Sequence, residues 1–258
     1  MLLQATRKGD FMKQRKGTKA LLCTVIFLLA ILTAPFSYAS TAKDAFVPTR
    51  DVMALVKPSI LYGTMKTKDN EVWAGAQVEI LRDINGGQKY LVKIGKRTAW
   101  VKGTSLSIPP DPETNTDKLT DDELVYYVNQ MGFSSDSGYF VWVDIDRQML
   151  NVFTGSQKNW KLVKSISCAT GKNVTPTLRG TFTPMIYGES FGSYNREGAK
   201  YYVSYYGDYM VHSLPYLHNK VSDYTVGKRA SHGCVRIAVA EAQWFYRTIP
   251  RKTTIWIN

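Results

Sequence analysis

The sequence predicts a mainly β protein: a small β-barrel followed by a larger β-rich domain with few helices. Three observations predict it. Short runs of β-branched and aromatic residues, separated by turn residues, fill most of the chain after residue 44. Only two stretches, LTDDELVYYVNQMGF and AEAQWFYRTI, carry a helical pattern. Between the β-rich parts, Pro109-Pro110-Asp111-Pro112 and the polar ETNTDK support neither a helix nor a central strand. A hydrophobic fraction of 44% and a charged fraction of 21% suit a packed core.

Residues 1–39 read as a leader. Lys13, Arg15, Lys16 and Lys19 precede an uncharged run whose apolar part, Ala20 to Leu32, is short for a spanning helix. Ser37-Tyr38-Ala39 fits a signal-peptidase site, so a signal peptide cleaved after Ala39 is expected, with an uncleaved membrane anchor as the alternative. Met12 would start a signal of more usual length, and Cys23 sits too early in the apolar run to be a lipoprotein cysteine. The expected location is the extracellular face of the cytoplasmic membrane or the cell wall, with membrane contact only if the leader stays. The net charge is +12, of which six cations and one acid before residue 40 supply +5, leaving +7. No nucleic-acid-binding motif accompanies this charge, so nucleic acid is not an expected partner. Outside the membrane the anionic partners are wall polymers and lipid headgroups; a generally basic surface is the plainer reading.

Residues 44–108 read as a small β unit. Its runs are SILYG, AGAQVEILRD, QKYLVKIG and TAWVKGTSLSI, with turns at Asp69-Asn70 and Asn85-Gly86-Gly87. Val78 alternates with Ile80, and Tyr90 with Val92 and Ile94. The closing AWVKGTSL resembles the end of bacterial SH3-type domains. That resemblance implies a module binding wall peptides or glycans, or else a structural spacer. Residues 109–137 are a linker and a short helix. Thr120 is an N-cap, Glu123 stands three residues on, and Gly132 ends the helix, so it spans 121–131. Residues 138–258 are the larger domain. YFVWVDID, QMLNVFTG, WKLVKSISCATG, GTFTPMIYG, KYYVSYYGDYMVHS and TTIWIN are its strand-like runs.

The chemistry converges on SHGCVR, residues 231–236. A free cysteine titrates near 8.5, so Cys234 needs a partner to react at neutral pH. An imidazole can hold its thiolate or take its proton during attack. His232 is two residues away, and side chains at i and i+2 of an extended chain run alongside one another without converging. His212 ends the strand-like DYMVHS and can face Cys234 from a neighbouring strand. His212 is therefore assigned as base and His232 as a supporting residue. Gly233 lets the backbone adopt φ > 0 or approach a substrate. The N–H groups of His232, Gly233 and Cys234 are candidates for an oxyanion site, with Ser231 shaping the loop. Ser213 is expected to hold the second nitrogen of His212, through its hydroxyl or its carbonyl. Arg236 shares the face of Cys234 and is a candidate for binding a substrate carboxylate.

VHS followed at a distance by SHGCVR resembles the L,D-transpeptidase catalytic (YkuD-like) domain. The family pattern is a histidine, a spacer of about fifteen to eighteen residues, and then Ser/Thr-His-Gly-Cys; here residues 213–230 form the spacer. DIDRQMLNVF is similar to the family's opening hairpin and SCATGKNVTPTLRGTFTP to its following segment. Two departures are Cys168, where many relatives have a small hydroxyl residue, and Arg236, where many have asparagine. The resemblance implies that Cys234 attacks the third-residue carbonyl of a peptidoglycan tetrapeptide stem and expels the terminal D-alanine. The side-chain amine of another stem then resolves the thioester, giving a 3→3 cross-link. His212 shuttles the proton in both halves, no metal or other cofactor takes part, and carbapenems acylate the cysteine. An L,D-carboxypeptidase, with water as acceptor, uses the same site, and an inert wall-binding protein is the alternative outside enzymes. Sortases separate their histidine and cysteine much farther, and papain-like endopeptidases place cysteine before histidine.

The remaining candidates take structural readings. Cys168 is expected in a strand core, His218 in a loop, and Asp144 and Asp146 as solvated strand and turn residues. The Gly-rich stretch 186–204, with Tyr187, Tyr194, Tyr201 and Tyr202, is expected to be a lid over the site.

Overall fold

The computed structural model describes residues 46–66 and 73–258; the leader expected at 1–39 lies outside them. The first element is α1, one turn at Val52–Leu55 capped by the Asp51 carboxylate, which the sequence did not signal. Five short strands follow: β1 (Tyr62–Met65), β2 (Gln77–Ile84), β3 (Lys89–Ile94), β4 (Arg97–Lys102) and β5 (Leu106–Ser107). They form one antiparallel sheet in the order β4-β3-β2-β1-β5. Val78, Ile80, Tyr90 and Val92 bury their side chains into a core shared with Met65, Val101 and Leu106. The β2–β3 hairpin turns through Asn85, Gly86 and Gly87, all at positive φ, where glycine costs least.

Helix α2 spans Asp121–Met131. The Thr120 hydroxyl accepts from the Glu123 amide and the Glu123 carboxylate accepts from the Thr120 amide, a reciprocal cap; Gly132 closes the other end in the left-handed region. Arg50 clamps Glu123 with two nitrogens, at 2.6 and 2.8 Å, and reaches Asp117 at 2.6 Å. The Arg50 guanidinium holds the Glu123 carboxyl down to about 2.

The larger sheet takes β6 (Tyr139–Asp144), β7 (Met149–Thr154), β8 (Lys161–Ala169), β9 (Gly180–Phe182), β10 (Ile186–Ser193), β11 (Arg196–Tyr206) and β12 (Tyr209–Ser213), with two-residue β13 (Tyr216–Leu217) and β14 (Lys220–Val221). It is completed by β15 (Val235–Ile237), α3 (Val239–Thr248) and β16 (Thr254–Ile257). The strand order is β14-β13-β11-β12-β15-β8-β7-β6-β16-β9, with β10 paired to β11. Among the described residues the fold is thus mainly β with three α-helices, α1 being a single turn. Pairing is antiparallel except at β12–β15 and β16–β6. One face buries Val141, Val152, Val203, Val211, Val235 and Ile237, with Phe245 of α3 in the same cluster. Cys168 belongs to that cluster as a free, fully buried thiol. Among the described residues no helix is long and apolar enough to cross a membrane.

Two readings need correction. Asp144 is buried, not solvated, because Arg147 is buried beside it at 3.2 Å and also donates to the carbonyls of Asp117 and Leu55. The stretch 186–204 is a strand hairpin, β10 with β11, rather than a Gly-rich loop. Tyr187 donates to the Ile249 carbonyl, and Gln243 of α3 donates to the Tyr201 hydroxyl, so these rings serve packing.

The small sheet and the segment 172–179 are joined by specific contacts. The Tyr90 hydroxyl donates to the Val174 carbonyl, and Asn173 reaches the carbonyls of Pro109 and Pro110. Arg179 inserts its guanidinium against the carbonyls of Ser59, at 2.5 Å, and Ile80, at 2.8 Å. That segment also props the Cys234 loop.

Candidate active site

The parallel pairing of β12 with β15 sets Val211 beside Val235, His212 beside Arg236 and Ser213 beside Ile237. Side chains alternate across a sheet. Val211, Val235 and Ile237 take the core face at 0% exposure, which leaves His212, Cys234 and Arg236 on the other. They line a cleft of about 140 Å³ with Phe191, Glu197, Gly198, Pro215, Ser231 and His232. Every residue of the candidate constellation except Ser213 and Gly233 therefore borders one cavity.

His212 is buried. Its Nδ1 lies 2.6 Å from the Ser213 carbonyl, which fixes the proton there and leaves Nε2 with a free lone pair. The Ser213 hydroxyl is occupied elsewhere, donating to the Leu214 carbonyl and accepting from the Lys200 amide. Of the two routes open to Ser213, the carbonyl is the one made. Burial pushes the His212 imidazole down to about 4, against the Ser213 contact and with the help of the Arg236 charge. Phe191, from the β10–β11 hairpin, sets its ring edge-on at 5.6 Å and 90°. The hairpin thus reaches the imidazole through Phe191.

The Cys234 thiol donates to the Asp208 carbonyl at 3.4 Å. Burial pushes it up to about 11, opposed by a hydrogen bond from the Met210 backbone and by Arg236. Both shifts favour the neutral thiol and the neutral imidazole, and so disfavour a preformed ion pair.

Gly233 sits at φ 113°, and a Cβ there would meet Tyr209 Cε1 at 2.9 Å. Its N–H donates to the Ser231 hydroxyl at 3.1 Å, and that hydroxyl donates to the Cys234 carbonyl at 2.5 Å. Gly233 is thereby withdrawn from the candidate oxyanion donors, leaving the amides of His232 and Cys234. Arg236 is nearly buried, paired with Asp223 at 3.1 Å and facing Glu197 at 3.8 Å, while its Nε finds no partner among the described residues. His232 is exposed at the rim.

The chain matches the L,D-transpeptidase catalytic domain (YkuD) over residues 138–257. The chain is 32% identical over 129 residues to the Bacillus subtilis (strain 168) protein named "Putative L,D-transpeptidase YciB", covering 46% of this chain and 66% of that relative. The chain thus spans just under two thirds of the curated relative's length. Among solved structures it is similar to a Clostridium acetobutylicum fused Zn-dependent amidase/peptidase/peptidoglycan-binding domain-containing protein, at 30% identity and TM-score 0.48, covering 57% of this chain and 65% of that one. An L,D-transpeptidase from Mycobacterium smegmatis is similar at 21% identity and TM-score 0.40, covering 47% and 58%.

Sequence reasoning missed several residues that shape the site. The Thr177 hydroxyl accepts from the Gly171 amide and donates to the Gly233 carbonyl, at 2.7 and 2.8 Å. Thr175 donates to the Ser231 carbonyl at 3.2 Å. Both lie in TPT, inside a segment the resemblance had covered without assigning them roles. Asp208, Asp223 and Glu197 come from separate turns and strands, and nothing local in the sequence marks them.

Proposed function

We propose that this protein is a peptidoglycan L,D-transpeptidase working through a Cys234 thioester, exported to the outer face of the cytoplasmic membrane or the wall. The observation that carries the reading is the pairing of β12 with β15. It brings a buried imidazole, with Nδ1 committed and Nε2 free, onto the face of the sheet that holds the thiol. His212 takes the thiol proton as sulfur attacks the third-residue carbonyl of a donor stem. The amides of His232 and Cys234 are positioned to receive the developing oxyanion. The C–N bond to the terminal D-alanine breaks, and the proton on His212 passes to the leaving amine. The side-chain amine of an acceptor stem then gives its proton to His212 and attacks the thioester. A new amide forms and the thiol is restored, with no change of redox state.

Arg236 frames the acceptor side, its guanidinium oriented by Asp223 and Glu197. The basic surface offers contacts to anionic wall polymers, and the small sheet offers contacts to wall peptides or glycans. Intact-mass spectrometry of the full-length protein with a disaccharide-tetrapeptide tests the reading. An adduct lighter than the donor by one D-alanine, absent in Cys234→Ala, together with a cross-linked dimer, is expected. Resolution to tripeptide alone would make the enzyme an L,D-carboxypeptidase. No adduct with substrate or a carbapenem would leave a wall-binding protein.

A further inference from the structure

A second depression of about 340 Å³ lies between the two sheets and shares His232 with the catalytic cleft. One wall is the β2–β3 hairpin, with Arg82 and Asp83; the other is the β11–β12 turn, with Asp208 and Tyr209. The groove opens beside the nucleophile, because the Asp208 carbonyl is the acceptor for the Cys234 thiol.

Its charges are divided. The Arg82 guanidinium lies between two aromatic rings, 5.0 Å from Trp100 of the small sheet and 5.5 Å from Tyr206 of the larger one. Stacked this way, its face is shielded and its fork of N–H donors is held for a planar anion. Asp208 is exposed, with its charge close enough to the sulfur to oppose ionisation. Among the described residues neither Arg82 nor Asp208 takes part in a salt bridge. Asp83 is nearly buried and already accepts from the Gly87 amide at 2.8 Å. The groove therefore offers one free cation and one free carboxylate within a single depression.

We propose that this groove binds the side-chain end of the donor stem's third residue when that end is a zwitterionic amino acid group. Arg82 takes its carboxylate and Asp208 its ammonium. The inference rests on the transpeptidase reading. His212 serves both the leaving and the attacking amine, so both amines occupy the cleft on the imidazole side. The retained third residue then has the opposite side of Cys234 open to it. A side chain of three methylenes spans roughly 4–5 Å, and the Asp208 carbonyl at the groove's edge lies 3.4 Å from the sulfur. Lysine in the same position would satisfy Asp208 and leave Arg82 unpaired. The small sheet would thus act as a specificity wall of the catalytic site.

Isothermal titration of full-length Cys234→Ala, which cannot turn over, tests this with disaccharide-tetrapeptides carrying diaminopimelate, its side-chain amide or lysine at position three. The diaminopimelate stem is expected to bind about tenfold tighter than the other two, the worth of one charge-assisted fork. Adding Arg82→Gln should erase that preference, and Arg82→Lys should retain part of it. Adding Asp208→Asn should weaken the diaminopimelate and lysine stems alike. Equal binding of the diaminopimelate and lysine stems, or a preference that survives Arg82→Gln, would overturn the groove assignment. Failure of every stem to bind would instead overturn the substrate reading beneath it, and would show as lost affinity rather than lost discrimination.

Discussion

The two faces of β12 and β15 differ in almost everything except the backbone they share. On one face Val211, Val235, Ile237 and Cys168 are fully buried and apolar. On the other, His212, Cys234 and Arg236 surround a cleft. The contrast is sharpest between the two thiols. Cys168 is sealed in the core, and burial pushes its ionisation far up. Cys234 instead lines the same cleft as the His212 imidazole. One residue of register separates a packing position from one that faces the cleft, so the face a cysteine takes decides what can reach it more than its residue type does.

Breaking the reactive face should give the largest effects. Cys234→Ala should abolish thioester formation by intact mass while leaving the thermal midpoint nearly unchanged. His212→Ala should slow turnover by about 10²–10⁴-fold, the usual worth of a positioned base. The core face should answer in the opposite sense. Ile237→Ala should cost about 2–5 kcal/mol by urea unfolding, with carbapenem acylation retained at temperatures where the variant stays folded. A variant that loses stability and acylation in equal measure would show that the faces are not independent.

Between the faces lies the loop that joins them. Gly233→Ala forces a side chain into φ 113° and against the Tyr209 ring, which should cost about 1–3 kcal/mol and lower kcat. Thr177→Val removes the hydroxyl bridging Gly171 and Gly233, with an expected loss of about 1–3 kcal/mol by urea unfolding. The sequence had Gly233 both as a conformational device and as an oxyanion donor. The structure keeps the first role and gives its N–H to Ser231.

A pH dependence of similar size should follow from His212. The folded His212 titrates at about 4, below its ordinary value near 6.5. Between those values the unfolded chain binds the extra proton and the folded chain does not. Stability should therefore fall as pH drops from about 6.5 to 4, by about 3 kcal/mol in all. His212→Asn should flatten that part of the profile measured by chemical denaturation. A slope unchanged in His212→Asn would place the titrating group elsewhere, with Glu123, held down to about 2, governing the more acidic range.

The sequence by itself determined the local elements and the candidate site residues. The cap of Thr120 with Glu123, the stop at Gly132 and the alternation in Val78–Ile80 act within a few residues, so they are readable from the residues involved. His212 and Cys234 were legible as candidates because both are scarce residue types, and because VHS and SHGCVR resemble a family pattern; the structure sets both on one cleft. What only the tertiary structure decided depends on contacts between distant segments. The Ser213 carbonyl was chosen over its hydroxyl because Lys200, thirteen residues away, takes the hydroxyl. Asp144 went into the core because Arg147 is buried with it and bridges to Asp117 and Leu55. Arg82 and Asp208 meet in one groove only because Arg179 and Tyr90 join the small sheet to the segment that shapes the Cys234 loop. Pattern in a chain records what each residue does to its neighbours in sequence; a shared cavity is made by neighbours in space, and long-range packing sets those.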